Sequence, residues 1–154
     1  MLFRTKSFDV LSNYELYELL QLRQQIFVVE QDCPYLDCDG LDAQSFHVLG
    51  TIEEQLISYA RIIPVDLLDE YVHIGRVVVH LDFRSKGLGH ELMQYCIDEC
   101  NRRFNVPVIK ISAQKHLENF YGEHDFTKIG KEYLEDGIPH IAMIKKVEGD
   151  LNYK

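Results

Sequence analysis

Residues 77–92, Val-Val-Val-His-Leu-Asp-Phe-Arg-Ser-Lys-Gly-Leu-Gly-His-Glu-Leu, constrain this chain more than any other stretch. Val77, Val78 and Val79 are a β-branched run suited to a buried strand. Asp82 to Lys86 is a polar loop with two cations, Arg84 and Lys86. Gly87 then opens a helix in which Leu88, Leu92, Cys96 and Cys100 recur every four residues. A strand, a basic glycine-containing loop and a helix N-terminus in series cradle a pyrophosphate. Glycines let the backbone approach the oxygens, free N–H groups point outward, and the helix dipole favours the anion. The stretch is not a Walker loop, because no Gly-Lys-Ser/Thr follows four variable residues. It is not a dinucleotide fingerprint either, since the third glycine is missing. What it does contain is Arg84-x-x-Gly87-x-Gly89.

Composition narrows the partners of such a cradle. A length of 154 residues is that of one domain, 1–154, with a real core, and 46% apolar against 27% charged residues is ordinary globular composition. The net charge of −9 argues against nucleic acid, whose phosphates need a basic surface. An acidic protein that binds an anion must concentrate its cations locally, and it also suits a cationic amine. No apolar run reaches the length of a membrane span and no signal-peptide pattern opens the chain, so no membrane partner and a cytoplasmic location are expected. Cys96 and Cys100 lie on a helical apolar stripe and read as core. Cys33, Cys38 and His47 match no common zinc spacing, and the Asp37-x-Asp39-Gly40 portion lacks the twelfth-position acid of a calcium loop, so no metal is expected.

In chain order, residues 2–6 suggest a strand. Ser12-x-x-Glu15 is a capping box, and Leu16, Leu19, Leu20, Arg23, Ile26 and Phe27 continue one helical stripe to about Val29. Residues 30–44 form a polar loop rich in Asp. Strands are expected at 45–51 and 56–65, joined across Glu53-Glu54-Gln55, and at 71–80. The helix after Gly87 runs to about Phe104 and is stopped by Asn105 and Pro107. A strand at 108–113, a short helix at 116–122 and closing strands at 126–130 and 138–147 follow, with Asp136-Gly137 as a turn. The fold class is α/β or α+β: a mixed central sheet with helices on both faces.

This order, the Arg84-x-x-Gly87-x-Gly89 loop and Asn119-Phe120-Tyr121 resemble the GNAT superfamily of N-acetyltransferases. Within it, the chain resembles the ElaA-like branch. The residues that carry this are Leu22-Arg23, Phe27-Val28-Val29-Glu30-Gln31, Cys33-Pro34-Tyr35, Asp39-Gly40, Gly75-Arg76-Val77-Val78-Val79, Ala113-Gln114 and Glu135-Asp136-Gly137-Ile138-Pro139-His140. The family's glycine-phenylalanine pair is here Asp125-Phe126, and Asp tolerates the left-handed backbone such a turn requires.

The resemblance implies the GNAT acyl-CoA N-acyltransferase fold, acetyl-CoA as co-substrate, and attack of a neutral primary amine of a small molecule or peptide on the thioester. It places the pyrophosphate on Arg84, Ser85, Lys86, Gly87, Leu88 and Gly89. The backbone of Val77, Val78 and Val79 would pair with the pantetheine amides, where a bulge splays that strand from the next. Asn119 would hydrogen-bond the cofactor and Tyr121 would protonate the leaving thiolate. Glu30 and His140 are the candidate bases. Arg76 is expected to anchor the acidic loop or a substrate carboxylate. A homodimer is allowed. The alternatives are a non-catalytic acyl-CoA-binding module of the same fold and an interaction protein with no cofactor.

Overall fold

In the computed structural model, which describes residues 1–147, the strands are β1 (Leu2–Ser7), β2 (Phe46–Ile52), β3 (Gln55–Ile63), β4 (Val72–Val79), β5 (Val108–Gln114), β6 (Thr127–Glu135) and β7 (Ile138–Lys146). The expected domain extends to 154, so its last seven positions, 148–154, lie outside the described residues. The seven strands make one sheet in the order β1-β2-β3-β4-β5-β7-β6. Only β4 and β5 run parallel, which requires a crossover, and α2 (Leu88–Phe104) supplies it. With α3 (Glu118–Gly122) it covers one face, where Leu92, Met93, Cys96 and Cys100 pack on Ile74, Ile109, Ile111 and Met143. The opposite face carries α1 (Asn13–Arg23), whose Leu19 and Leu22 bury against Leu49, Tyr59 and Val78.

The capping box forms as expected: Glu15 N–H donates to Ser12 Oγ at 3.1 Å and Ser12 N–H donates to Glu15 Oε2 at 2.9 Å. The single helix expected from Ser12 to Val29 does not run through. It is α-helical only to Arg23 and continues as a π-helix over Gln24–Glu30. Wider π turns are found mostly at functional sites, and this one re-aims Glu30 and Gln31 away from the direction that a 3.6-residue period gives them. The closing strand expected at 126–130 is β6, which runs on to Glu135. A register shift between Ile129 and Tyr133, with Gly130 at φ +71°, absorbs the glycine expected to end it.

The parallel junction positions the site. β4 and β5 pair only at Val72↔Ile109 and His73↔Lys110. Above those pairs β4 is bulged: Arg61 of β3 stands opposite Gly75 and Tyr59 opposite Val78, so Arg76 and Val77 together face Ala60. Arg76 sits in the bulge at φ +50°. Val78 and Val79 therefore keep their partners on the β3 side, and Val77–Val79 leave the edge toward β5 unpaired.

Candidate active site

The loop that follows β4 brings backbone donors to this open edge. Ser85 and Gly87 both take positive φ, +62° and +77°. α2 starts at Leu88 with no capping side chain, and its first bond runs from Glu91 N–H to Gly87 C=O at 3.2 Å. The N–H groups of Leu88, Gly89 and His90 have no partner within the helix. At Gly89 a Cβ would lie 3.5 Å from the Phe120 ring and 4.0 Å from Val79 Cγ2, so alanine fits and anything larger meets Phe120. Lys86 lies over the Phe83 ring at 5.4 Å.

Arg84 and Glu30, given separate roles in the sequence, are brought together. The Arg84 NH1 and NH2 groups donate to the two Glu30 carboxylate oxygens at 2.6 and 2.7 Å, and Nε donates to Val79 C=O at 3.1 Å. Arg84 holds the Glu30 carboxyl below the usual carboxylate range, and Glu30 raises the guanidinium. In this arrangement the fork of Arg84 is occupied and Glu30 is a bound anion rather than a free base.

Tyr121, on α3, lies in the core against Phe120 and Phe126. Burial, followed by the proximity of Cys96, pushes its phenol well above the ordinary tyrosine value, so the hydroxyl keeps its proton. Asn119 is exposed on α3, in a groove that Thr127, Lys128 and Met143 also line.

On the opposite face the Asp-rich loop folds onto arginines. Asp37 is buried and receives Nε of Arg23 at 2.7 Å and Nε of Arg76 at 2.8 Å. Asp39 and Asp42 are bound by Arg61, and Asp42 also by Arg23. Arg76 thus anchors the acidic loop. His47 is a core histidine, bonded to Tyr59 Oη at 2.7 Å and to Asp42 C=O at 2.9 Å, and burial lowers it.

His140, on β7, is buried against Tyr133, with rings stacked at 6.1 Å. Its Nδ1 donates to Ile138 C=O at 2.7 Å and its Nε2 lies 3.3 Å from Glu135 Oε2. Ser112 Oγ donates to the same Glu135 oxygen at 3.1 Å and is bonded to Tyr133 Oη. Sequence reasoning overlooked Ser112, Tyr133 and Glu135. A signal was present, because a two-residue Asp136-Gly137 turn sets Glu135 opposite Ile138 and Tyr133 opposite His140. Gln114 Nε2 donates to Gln31 Oε1 at 3.1 Å, and Cys33 Sγ contacts Asp136 C=O at 3.5 Å, so the segment after the π-helix meets the β6–β7 hairpin.

A model of the acetyltransferase (GNAT) domain matches residues 23–147. The chain belongs to the GNAT acetyltransferase family. It is 43% identical over 139 residues to ElaA of Escherichia coli, covering 89% of this chain and 91% of that protein. The crystal structure of E. coli ElaA superposes with a TM-score of 0.88 at 40% identity, over 94% of this chain and 99% of that one. An acyl-CoA N-acyltransferase from Pseudomonas aeruginosa gives a TM-score of 0.89 at 40% identity, over 94% and 98% of the two chains. An aminoglycoside 6′-N-acetyltransferase solved with coenzyme A shares the fold, with a TM-score of 0.71 at 16% identity over 93% of this chain and 96% of that one. This GNAT chain has, among its described residues, no helix long and apolar enough to cross a membrane.

Proposed function

We propose that the protein is an acetyl-CoA-dependent N-acetyltransferase that acetylates a primary amine of a small molecule or peptide by direct attack in a ternary complex. One observation carries this reading. The unpaired edge of Val77–Val79 is followed, after the turn and loop of residues 80–87, by an uncapped helix N-terminus at Leu88. An extended thioester carrier with a pyrophosphate at its far end has complementary needs: amides for the strand edge and an anion for the helix. That a protein of this fold has been solved with coenzyme A supports it.

Each residue then has a physical task. The N–H groups of Leu88 and Gly89, with Ser85 and Lys86 beside them, receive the pyrophosphate, and the cofactor's charge draws Arg84 from Glu30. An N–H on the free edge of β4 polarises the thioester carbonyl; one such donor is worth about 100- to 1,000-fold in rate. Tyr121, kept neutral by burial, donates its proton to the departing thiolate. His140 serves as the base. The engagement of Glu30 by Arg84 favours one competing reading, a non-catalytic acyl-CoA-binding module, since it occupies one of the two candidate bases.

Thermal melts and calorimetry with acetyl-CoA, CoA and NADPH test the cofactor. Saturation at 100 times Kd adds about 2.7 kcal/mol, a shift of several degrees. Acetyl-CoA and CoA should shift the melt and NADPH should not, and Gly89→Trp should abolish the shift while keeping the fold. If no ligand shifts the wild type, the enzyme reading falls. Binding without thiol release from any primary amine would leave the binding module.

A further inference from the structure

Resting on that reading, we infer that Asp69 is a positioning residue: its carboxylate pins the fork where β4 and β5 part, and so sets the width of the cleft that receives acetyl-CoA. The sheet consists of two half-sheets, β1-β2-β3-β4 and β5-β7-β6. Each keeps its own ladder to the top. β4 pairs with β3 as far as Val79↔Ser58, and β5 pairs with β7 as far as Gln114↔His140. Between the halves the ladder consists of Val72↔Ile109 and His73↔Lys110 alone. Above these pairs the bulge at Arg76 turns β4 away. Two residue pairs are a short hinge for two half-sheets, and the angle at that hinge fixes how far apart the strands stand higher up.

One carboxylate spans the hinge. Val72, Ile74, Ile109 and Ile111 pack in the core on the α2 side. His73 and Lys110 alternate with them and are directly opposite each other, so both belong to the other face. Asp69 Oδ1 lies 2.7 Å from His73 Nε2, and Oδ2 accepts from Lys110 Nζ at 2.8 Å. The last paired residue of each strand is thus held by one oxygen of the same group. The carboxylate is itself fixed. Its Oδ1 accepts from Tyr71 N–H at 3.0 Å, and Asp69 C=O accepts from Asp66 N–H at 2.8 Å. The Lys110 ammonium also lies over the Tyr71 ring at 5.3 Å. Burial raises the Asp69 carboxyl, but hydrogen bonds from Lys110 and His73 outweigh it and bring the group down to about 2.

The pin acts through the cleft and not on the cofactor. A carrier that pairs with the Val77–Val79 edge fills the gap that β5 leaves, so it needs both walls at a set distance. With the pin in place, the halves are held near one angle before the cofactor arrives. Without it they sample several, and affinity falls in proportion to the molecules still at the binding angle. The crossover helix α2 packs on both strands from the opposite face, so the hinge loosens while the fold remains.

The test compares wild type with Asp69→Asn, Lys110→Gln and a control, Lys145→Gln. Lys145 stands opposite Ile109 on β7 and pairs with Asp125 at 3.2 Å, an ion pair of the same sheet that does not span the hinge. Calorimetry reads acetyl-CoA affinity, and amide hydrogen exchange reads residues 72–74 and 109–111. Asp69→Asn should weaken acetyl-CoA about fivefold and speed exchange at the fork. Lys110→Gln, which leaves the His73 contact, should weaken it about twofold, and Lys145→Gln should leave it unchanged. A purely structural ion pair would lower the unfolding midpoint and leave the affinity of the folded protein alone. Where Asp69→Asn does not fold, Lys110→Gln decides. If the variants that fold bind acetyl-CoA as wild type does, or if Lys145→Gln weakens it equally, this proposal alone is overturned. If wild type binds no acetyl-CoA, the parent reading falls and this one with it.

Discussion

Two sets of arginine–carboxylate contacts hold the first helix and its extension to the sheet, and they differ in burial. At one end, Arg23, Arg61 and Arg76 meet Asp37, Asp39 and Asp42, with Arg23 at 0% and Asp37 at 5% exposure. At the other, Arg84 and Glu30 form a two-pronged pair at 36% and 35% exposure. Distances are alike, between 2.6 and 3.0 Å for the principal contacts. Burial separates them. In the first set Asp37 is buried and Asp42 nearly so, and each carboxylate is held by two arginines, so the cluster is architecture. In the second, water reaches both side chains, and on the proposed function the pyrophosphate competes with Glu30 for the same guanidinium. Similar bond lengths therefore carry different functions.

The largest expected effect lies in the cluster. Arg23→Ala removes a buried guanidinium shared by Asp37 and Asp42 and leaves Asp37 with Arg76 and Asp42 with Arg61 as their remaining cations. Breaking a buried pair on one side costs about 3–5 kcal/mol, which in a domain of this size lowers Tm by roughly 10 °C. Glu30→Ala should change stability by no more than ~1 kcal/mol, as for an exposed pair. If the two losses, measured by denaturant unfolding, are equal, the contrast between the regions fails.

Much of this arrangement is legible in the sequence, and the reasons are local. The capping box, the left-handed Asp125 at φ +65° and the Asp136-Gly137 turn at φ +49° and +77° depend on a few adjacent residues, and each forms as expected. The strand–loop–helix from Val77 to Leu92 also depends on neighbours. The switch from α to π after Arg23 is different. The π-helix is flanked by Arg23 in the Asp cluster and by Glu30 on Arg84, contacts 14 and 54 residues away. A periodicity of 3.6 contains no information about either. The Asp-rich loop reads as polar, yet its acids are turned inward onto arginines spread over positions 23–76, a match that composition cannot display. The Glu135–His140 contact is different: the Asp136-Gly137 turn signals it, and only a strand taken to end at Gly130 conceals it, because the register shift lets β6 run past that glycine.

Acid should loosen the Asp cluster. Burial raises the Asp39 carboxyl, but hydrogen bonding from Arg61 outweighs it and brings the group down to about 2; Asp42 is lowered likewise against burial by Arg23 and Arg61. A depressed carboxyl contributes stability that is full above its unfolded value, near 3.9, and is lost as pH falls through the folded one. Stability should thus decline steeply between about pH 4 and 2, and Asp39→Asn should flatten that decline. Melts at closely spaced pH values read the slope, and an unchanged slope in Asp39→Asn would remove this group from the cluster's stability.

The smallest effect is the sharpest test of exchangeability. If, as proposed, Arg84 receives the pyrophosphate, it must first leave Glu30, and the strength of that pair is subtracted from the affinity for acetyl-CoA. Glu30→Gln keeps the size of the side chain and removes its charge, so Arg84 is released in advance. An exposed pair is worth about 0.2–1 kcal/mol, so acetyl-CoA should bind Glu30→Gln about two- to fivefold more tightly than wild type by calorimetry, and the gain should shrink as salt screens the pair. The sign decides between the roles. If Glu30 touched the cofactor itself, removing its charge would weaken binding, and a purely structural pair would loosen the loop and weaken it too. Only a competitor for Arg84 improves affinity when it is removed, and unchanged or weaker binding would mean that Arg84 stays with Glu30 throughout, making this pair architecture like the other.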